Sequence, residues 1–106
     1  MEAVRMEIEE QTGLPVGVYG VLLENDRVRV LDIRLEPGET SPMHTHLGPS
    51  VLYALTDGQA RFTFPDGRSQ IVQMKTGEAA WSDLLTHEVQ NIGDTELHVL
   101  NIEIKE

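Results

Sequence analysis

The chain has 106 residues, 40% of them apolar, no cysteine, and a formal net charge of −10. That length sets one domain with a modest core, and the missing cysteines exclude disulfides, thiolate metal sites and thiol catalysis. The acidic balance argues against nucleic acid, whose phosphates would repel it, and against docking on anionic membranes.

Taken in chain order, residues 1–10 (MEAVRMEIEE) hold several acids and no long apolar run. No signal peptide is expected there, and no segment approaches transmembrane length. With the lack of cysteine, this leads to the expectation of a cytoplasmic protein. Residues 1–15 read as an N-terminal extension, a candidate for strand exchange in a dimer, and residues 16–106 as one β domain. Only the first dozen residues have a pattern compatible with helix.

From Val16 onward the pattern is β. Val16 to Glu24 reads as a strand, closed by a turn at Asn25 and Asp26. Arg27 to Leu35 follows, with apolar positions that switch face near Val30 and Leu31, which predicts a bulge or bend. Pro37 and Gly38 punctuate. Short strands are expected over Met43 to His46, Val51 to Leu55 and Ala60 to Phe64. The Pro65-Asp66-Gly67 hairpin signal leads back through Ile71 to Met74. Ala79 to Trp81, Glu88 to Ile92 and Glu96 to Ile104 complete the set. Many short strands at close spacing mean a β-sandwich or barrel.

The chemistry-bearing residues are histidines. His44 and His46 alternate on one strand and face the same way, with Cα atoms about 6.6 Å apart. Two imidazoles at that spacing can converge on one ion with bonds of about 2.1 Å. His87 opens the run "HEVQN", in which His87, Val89 and Asn91 share one face and Glu88 and Gln90 the other. In an antiparallel barrel that later strand can lie beside the first. His98 alternates with Leu100, Ile102 and Ile104 and is expected in the core or at an interface.

These residues resemble a known family. Gly38, His44, Thr45, His46 and Gly58 resemble the first cupin motif, G-x5-H-x-H-x3,4-E-x6-G; Gly77, His87 and Asn91 resemble the second, G-x5-P-x-G-x2-H-x3-N. The resemblance spans residues 16–104 and suits the small single-domain bacterial cupins, some of which are named for β-alanine degradation. It implies a cupin jelly-roll β-barrel (a double-stranded β-helix), a metal held by His44, His46 and His87, and a homodimer.

The chain departs from the motifs in two places. Counted back from Gly58, the family glutamate falls on Val51. In the second motif the proline falls on Asp83 and the glycine on Leu85, and the approach to His87 is one residue short. Three neutral imidazoles without a carboxylate leave a divalent ion roughly +2, so an anionic or chelating ligand is expected. Iron is the first expectation for the metal, with zinc, nickel, manganese or copper as alternatives. Some cupin dioxygenases, such as cysteine dioxygenase and the diketone-cleaving dioxygenase, look similar in using three histidines.

If Val51 points inward, Tyr53 and Leu55 do too, and Tyr53 becomes a candidate catalytic phenol. Asp83 is a candidate substitute acid, and Arg34 and Arg61 are candidates for holding a substrate carboxylate. Glu39 and Glu88 are expected away from the site, and Met43 is expected to point away from the metal. Three readings stay open: a metal-dependent dioxygenase on a small anionic substrate, a binding or sensing module in which the metal only holds a ligand, and a metal-free scaffold.

Overall fold

The computed structural model describes residues 19–46, 48–83 and 85–105. They form nine strands: β1 (Tyr19–Glu24), β2 (Val28–Leu35), β3 (Thr40–Thr45), β4 (Ser50–Ala54), β5 (Gly58–Thr63), β6 (Ser69–Met74), β7 (Ala79–Ser82), β8 (Thr86–Asn91) and β9 (Leu97–Ile104). Every strand expected from the sequence is present. The extension over residues 1–15, and the question of a helix there, lie outside the described residues.

Two antiparallel sheets face each other. One has the order β1-β2-β9-β4-β7 and the other β3-β8-β5-β6. Chain-distant strands lie side by side in both, which is the jelly-roll winding of a double-stranded β-helix. The core between them gathers Leu35, Ala60, Phe62, Val89 and Leu97.

Alternation along β9 sets the inner wall. Leu97, Val99, Asn101 and Glu103 are buried, while His98, Leu100, Ile102 and Ile104 face outward and are only half-buried. β2 pairs with β9 without a break from Val28↔Ile104 to Leu35↔Leu97. A bulge does fall at Val30 and Leu31, but the extra residue is on the partner strand: Val21 and Leu23 of β1 stand opposite Leu31 and Val30, and β2 itself runs on unbroken. The hydropathy was ambiguous because both faces of this sheet are apolar, so a change in hydrophobic phase did not mark a change in the backbone of β2.

The register makes that outer face continuous. Trp81 sits opposite Val51, Val51 opposite Ile102, Ile102 opposite Val30 and Val30 opposite Leu23, one apolar row across all five strands.

In the other sheet a bulge re-phases β3. Ser41 is opposite Val89 and His44 is opposite His87, so three residues on β3 span two on β8. Ser41 and His44 both end up buried, which strict alternation would forbid. Pro42 falls inside the bulge, where its missing N–H costs no ladder bond.

Two motif residues prove structural. At Gly58 a Cβ would collide with the Leu97 side chain. Asn91 is buried; its Nδ2 donates to the carbonyls of Leu35 (2.8 Å) and Thr95 (2.9 Å), and its Oδ1 accepts from the N–H of Gly93 (2.9 Å). At about 1 kcal/mol net each, these bonds tie the end of β8 to β2 and to the turn before β9.

Candidate metal centre

His44 and His87 face each other across the β3–β8 ladder, and His46 follows just past the end of β3. All three are buried, and their ligand nitrogens lie within 4.8 Å of one another. His46 Nε2 is 3.2 Å from His44 Nε2 and 3.2 Å from His87 Nε2. Donors bonded at about 2.1 Å, with angles between octahedral and tetrahedral, stand about 3.0–3.4 Å apart. The two separations to His46 match that range, and the ligand nitrogens of His44 and His87 lie no more than 4.8 Å apart, so the three rings converge on one point where an ion could sit.

The far nitrogens show which lone pairs point inward. His44 Nδ1 lies 2.7 Å from the Pro42 carbonyl oxygen, an acceptor only, so Nδ1 carries the proton and Nε2 the lone pair. The β3 bulge thus supplies the carbonyl that fixes this tautomer. His46 Nδ1 donates to Glu103 Oε2 at 2.7 Å. His87 Nδ1 has no hydrogen-bond partner among the described residues. Phe62 instead stands edge-on to its ring at 4.6 Å and sets its plane.

Glu103 is fully buried and also bonds Arg29 Nε at 2.5 Å. Burial alone would raise its pKa; the hydrogen bonds from His46 and Arg29 outweigh that and hold the carboxyl down at about 2. Desolvation acts the other way on imidazolium. It lowers His44 to about 4 despite the bond to Pro42, and lowers His87 to about 3, with the neighbouring histidines adding repulsion. His44 and His87 are thus neutral, and ring nitrogens gathered 3.2 Å from His46 Nε2 suit a metal ion.

Tyr19, at the start of β1, closes one side. Its Oη is 2.9 Å from His44 Nε2, and as His44 offers a lone pair there, the phenol donates. Burial pushes its pKa well above the usual value, so it stays a protonated donor.

Two expectations are corrected. Val51 does not point inward: it pairs with outward-facing Ile102 and Trp81, and Ser50 takes the inward position. The motif allows three or four residues between His46 and the acid, and the strand phase selects three. Ser50 is no carboxylate either, so the chain still supplies none at this position. Tyr53 moves with Val51: it pairs with Leu100 and is 38% exposed on the outer face, so it is not the phenol of the site. Tyr19 is the phenol beside the histidines.

Other candidates are also dispersed. Asp83 is exposed and accepts from Trp81 Nε1, Arg34 pairs with Asp32, and Arg61 reaches Gln90 at the surface. His98 bonds Asp32 on the outer face. Met43 points away from the histidines, as expected, and is exposed at the surface, and Glu39 accepts from the N–H of Glu36 in a turn. The inward arginine is Arg29. Arg29 and Glu103 were overlooked although "RVRVLDIRL" and "LHVLNIEI" each place a charge in the same phase as buried leucine or valine, a pattern that signals a paired interior charge.

A cavity opens beside the histidines between the two sheets. Its walls are mostly apolar, including Ile33, Leu52, Phe62 and Met74, with His46, His87, Tyr19, Ser50, Ser82 and Asn101 as the polar groups. It is small: about 40 Å³ is open to the centres of water-sized molecules, room for about three waters.

Two antiparallel sheets wound as a jelly roll around a buried three-imidazole face define a small β-barrel protein with a candidate metal site. The model of the cupin domain family matches residues 31–103, and the chain belongs to that family. Among solved structures, a cupin domain from Bordetella pertussis Tohama I is 31% identical, over 84% of this chain and 93% of that one, with a TM-score of 0.77. A cupin from Methanocaldococcus jannaschii described as a double-stranded β-helix is 20% identical, over 99% and 93%, with a TM-score of 0.67. A predicted oxalate decarboxylase from Thermotoga maritima is 24% identical, over 83% and 79%, with a TM-score of 0.61. A comparison with curated proteins gives no match. Among the described residues, no helix is long and apolar enough to cross a membrane.

The depressed histidine pKa values have a signed consequence for the metal-free protein. Unfolded, His44 and His87 take up protons near 6.5; folded, they do so only near 4 and 3. Their contribution to stability is complete above about 6.5 and is lost as pH falls towards 4, by up to about 2.7 kcal/mol per pH unit for the two together. Denaturant unfolding of metal-stripped protein should therefore show a midpoint that drops steadily from pH 7 to 4.5. A flat profile over that range would contradict a buried neutral cluster.

Proposed function

We propose that the protein is a metal-dependent cupin enzyme of the iron-type dioxygenase class, acting on a small anionic or chelating substrate inside the barrel. The observation that carries this reading is the buried set of three Nε2 atoms, with no carboxylate among the described residues grouped with them. Neutral nitrogen donors on one face suit iron, and equally leave zinc, nickel, manganese or copper as occupants.

A divalent ion held by His44, His46 and His87 would supply Lewis-acid and redox chemistry. The chain's own groups do the rest. Glu103 and the Pro42 carbonyl hold protons at Nδ1 of His46 and His44, keeping the inner nitrogens free. Arg29 offsets the charge of Glu103, so the pair adds little net charge and the ion's positive charge is left to attract an anion. Tyr19 keeps its phenolic proton and offers it towards the same space. Apolar walls of Phe62, Leu52 and Met74 limit water and substrate size. The likenesses under 25% identity speak for the fold alone, so the substrate class rests on the site.

Elemental analysis of protein purified without a histidine tag should find about one transition-metal ion per chain, and none in His87→Ala. After iron reconstitution, small carboxylates should drive oxygen uptake. Stoichiometric metal with no substrate consumed would reduce the protein to a ligand-binding module; absence of metal would sink the proposal.

We also propose a homodimer built on the outer face of the five-stranded sheet. The row from Trp81 to Leu23 is apolar on every strand, and Trp81 is 60% exposed. An apolar face this continuous is unusual on a monomer, and a twofold axis through it would pack the row on its own copy. Light scattering should give twice the chain mass, and Ile102→Glu should halve it while leaving the far-UV spectrum intact. A native chain that scatters as a monomer would contradict this.

A further inference from the structure

Asn101 lines the cavity from β9 and is 3% exposed. Its Nδ2 donates to Ser50 Oγ at 3.2 Å, while its Oδ1 has no hydrogen-bond partner among the described residues. A buried amide oxygen left unpaired is destabilising, and native interiors hold few of them. Such a group in the wall of a cavity is an acceptor waiting for a donor.

Ser50 extends the pattern. It is equally buried, lines the same cavity, and uses its oxygen to accept from Asn101, which leaves its hydroxyl proton available. Ser50 also sits opposite Glu103, the residue that holds His46, so the pair lies on the wall adjoining the histidines. One acceptor and one donor therefore stand side by side next to a centre that favours an anion.

We propose that Asn101 Oδ1 and Ser50 Oγ form the specificity element of the site, selecting a small carboxylate that carries an O–H or N–H donor on its α-carbon. The α-donor bonds Asn101 Oδ1, Ser50 donates to an oxygen of the ligand, and the carboxylate lies towards the histidines. The tight cavity restricts the class to acids of a few carbon atoms. This rests on the anionic-substrate reading above and deepens it, naming the feature that separates one small acid from another. A site built to bond a polar group rejects the analogue lacking it, because its own buried group is then left unpaired.

The test is binding, read by calorimetry, of glycolate, glycine and acetate to the protein as purified and to metal-stripped protein. Wild type should bind glycolate or glycine at least about 10-fold more tightly than acetate, and the two arms tell a hydroxyl donor from an amino donor. Asn101→Leu should abolish that preference while leaving acetate affinity within about twofold, and should not lower the melting temperature, because the unpaired oxygen is gone. Ser50→Ala should reduce the preference several-fold and serves if the first variant fails to fold. Equal affinity of wild type for all three acids, binding of none, or a preference that survives both variants would overturn the inference. Because the ratio is read with and without metal, a protein that binds no metal would refute the proposed enzyme while the selectivity is still measured.

Discussion

The site depends on one buried carboxylate. Glu103 accepts from Arg29 Nε and from His46 Nδ1, and so links β9 and β2 of one sheet to the histidines carried by the other. A carboxylate with no solvent exposure is tolerable only when its lone pairs are met by charged or polar donors, and removing one partner of such a pair typically costs about 3–5 kcal/mol. The same contact determines which nitrogen of His46 faces the cavity. The family's first motif places a glutamate on the wall near these histidines. Here that position is Ser50, and the carboxylate stands directly opposite it at Glu103, bonded to a histidine instead of sharing their face.

The consequences spread through the barrel. The histidines are crowded in a buried pocket, where desolvation keeps His44 and His87 neutral, and each tautomer that is fixed is fixed by the fold: by Glu103 for His46 and by a carbonyl freed in the β3 bulge for His44. Phe62 holds the plane of His87. Tyr19 closes the cluster with a phenol that burial keeps protonated. The inner face of β9 thus grades from core to site within one strand, from Leu97 and Val99 through Asn101 to Glu103. Its outer face, Leu100 and Ile102, carries the apolar row proposed to meet a second copy.

The nine strands and the grouping of His44, His46 and His87 were legible in the sequence, because alternation and the two ordered motifs both constrain them. What was not legible turned on strand phase. Reading Val51 as inward put Tyr53 inside; a single-residue difference in where β4 begins reverses both, since side chains alternate with a period of two. The apparent phase switch at Val30 and Leu31 came from a sheet that is apolar on both faces. Tyr19 reaches His44 only through the β1–β2 pairing, and β1 precedes the segment matched to the family. Arg29 and Glu103 were readable in principle, as charges in the buried phase of their strands, but nothing local says that they meet across 74 positions of sequence.

X-ray absorption at the metal edge, on protein purified without a histidine tag, tests the central claim most directly. The account predicts a first shell containing three imidazole nitrogens at about 2.1 Å, with His46→Ala losing one of them and Glu103→Gln keeping all three. A shell with fewer than three imidazoles in the native protein, or one in which Glu103 itself contributes an oxygen, would contradict it.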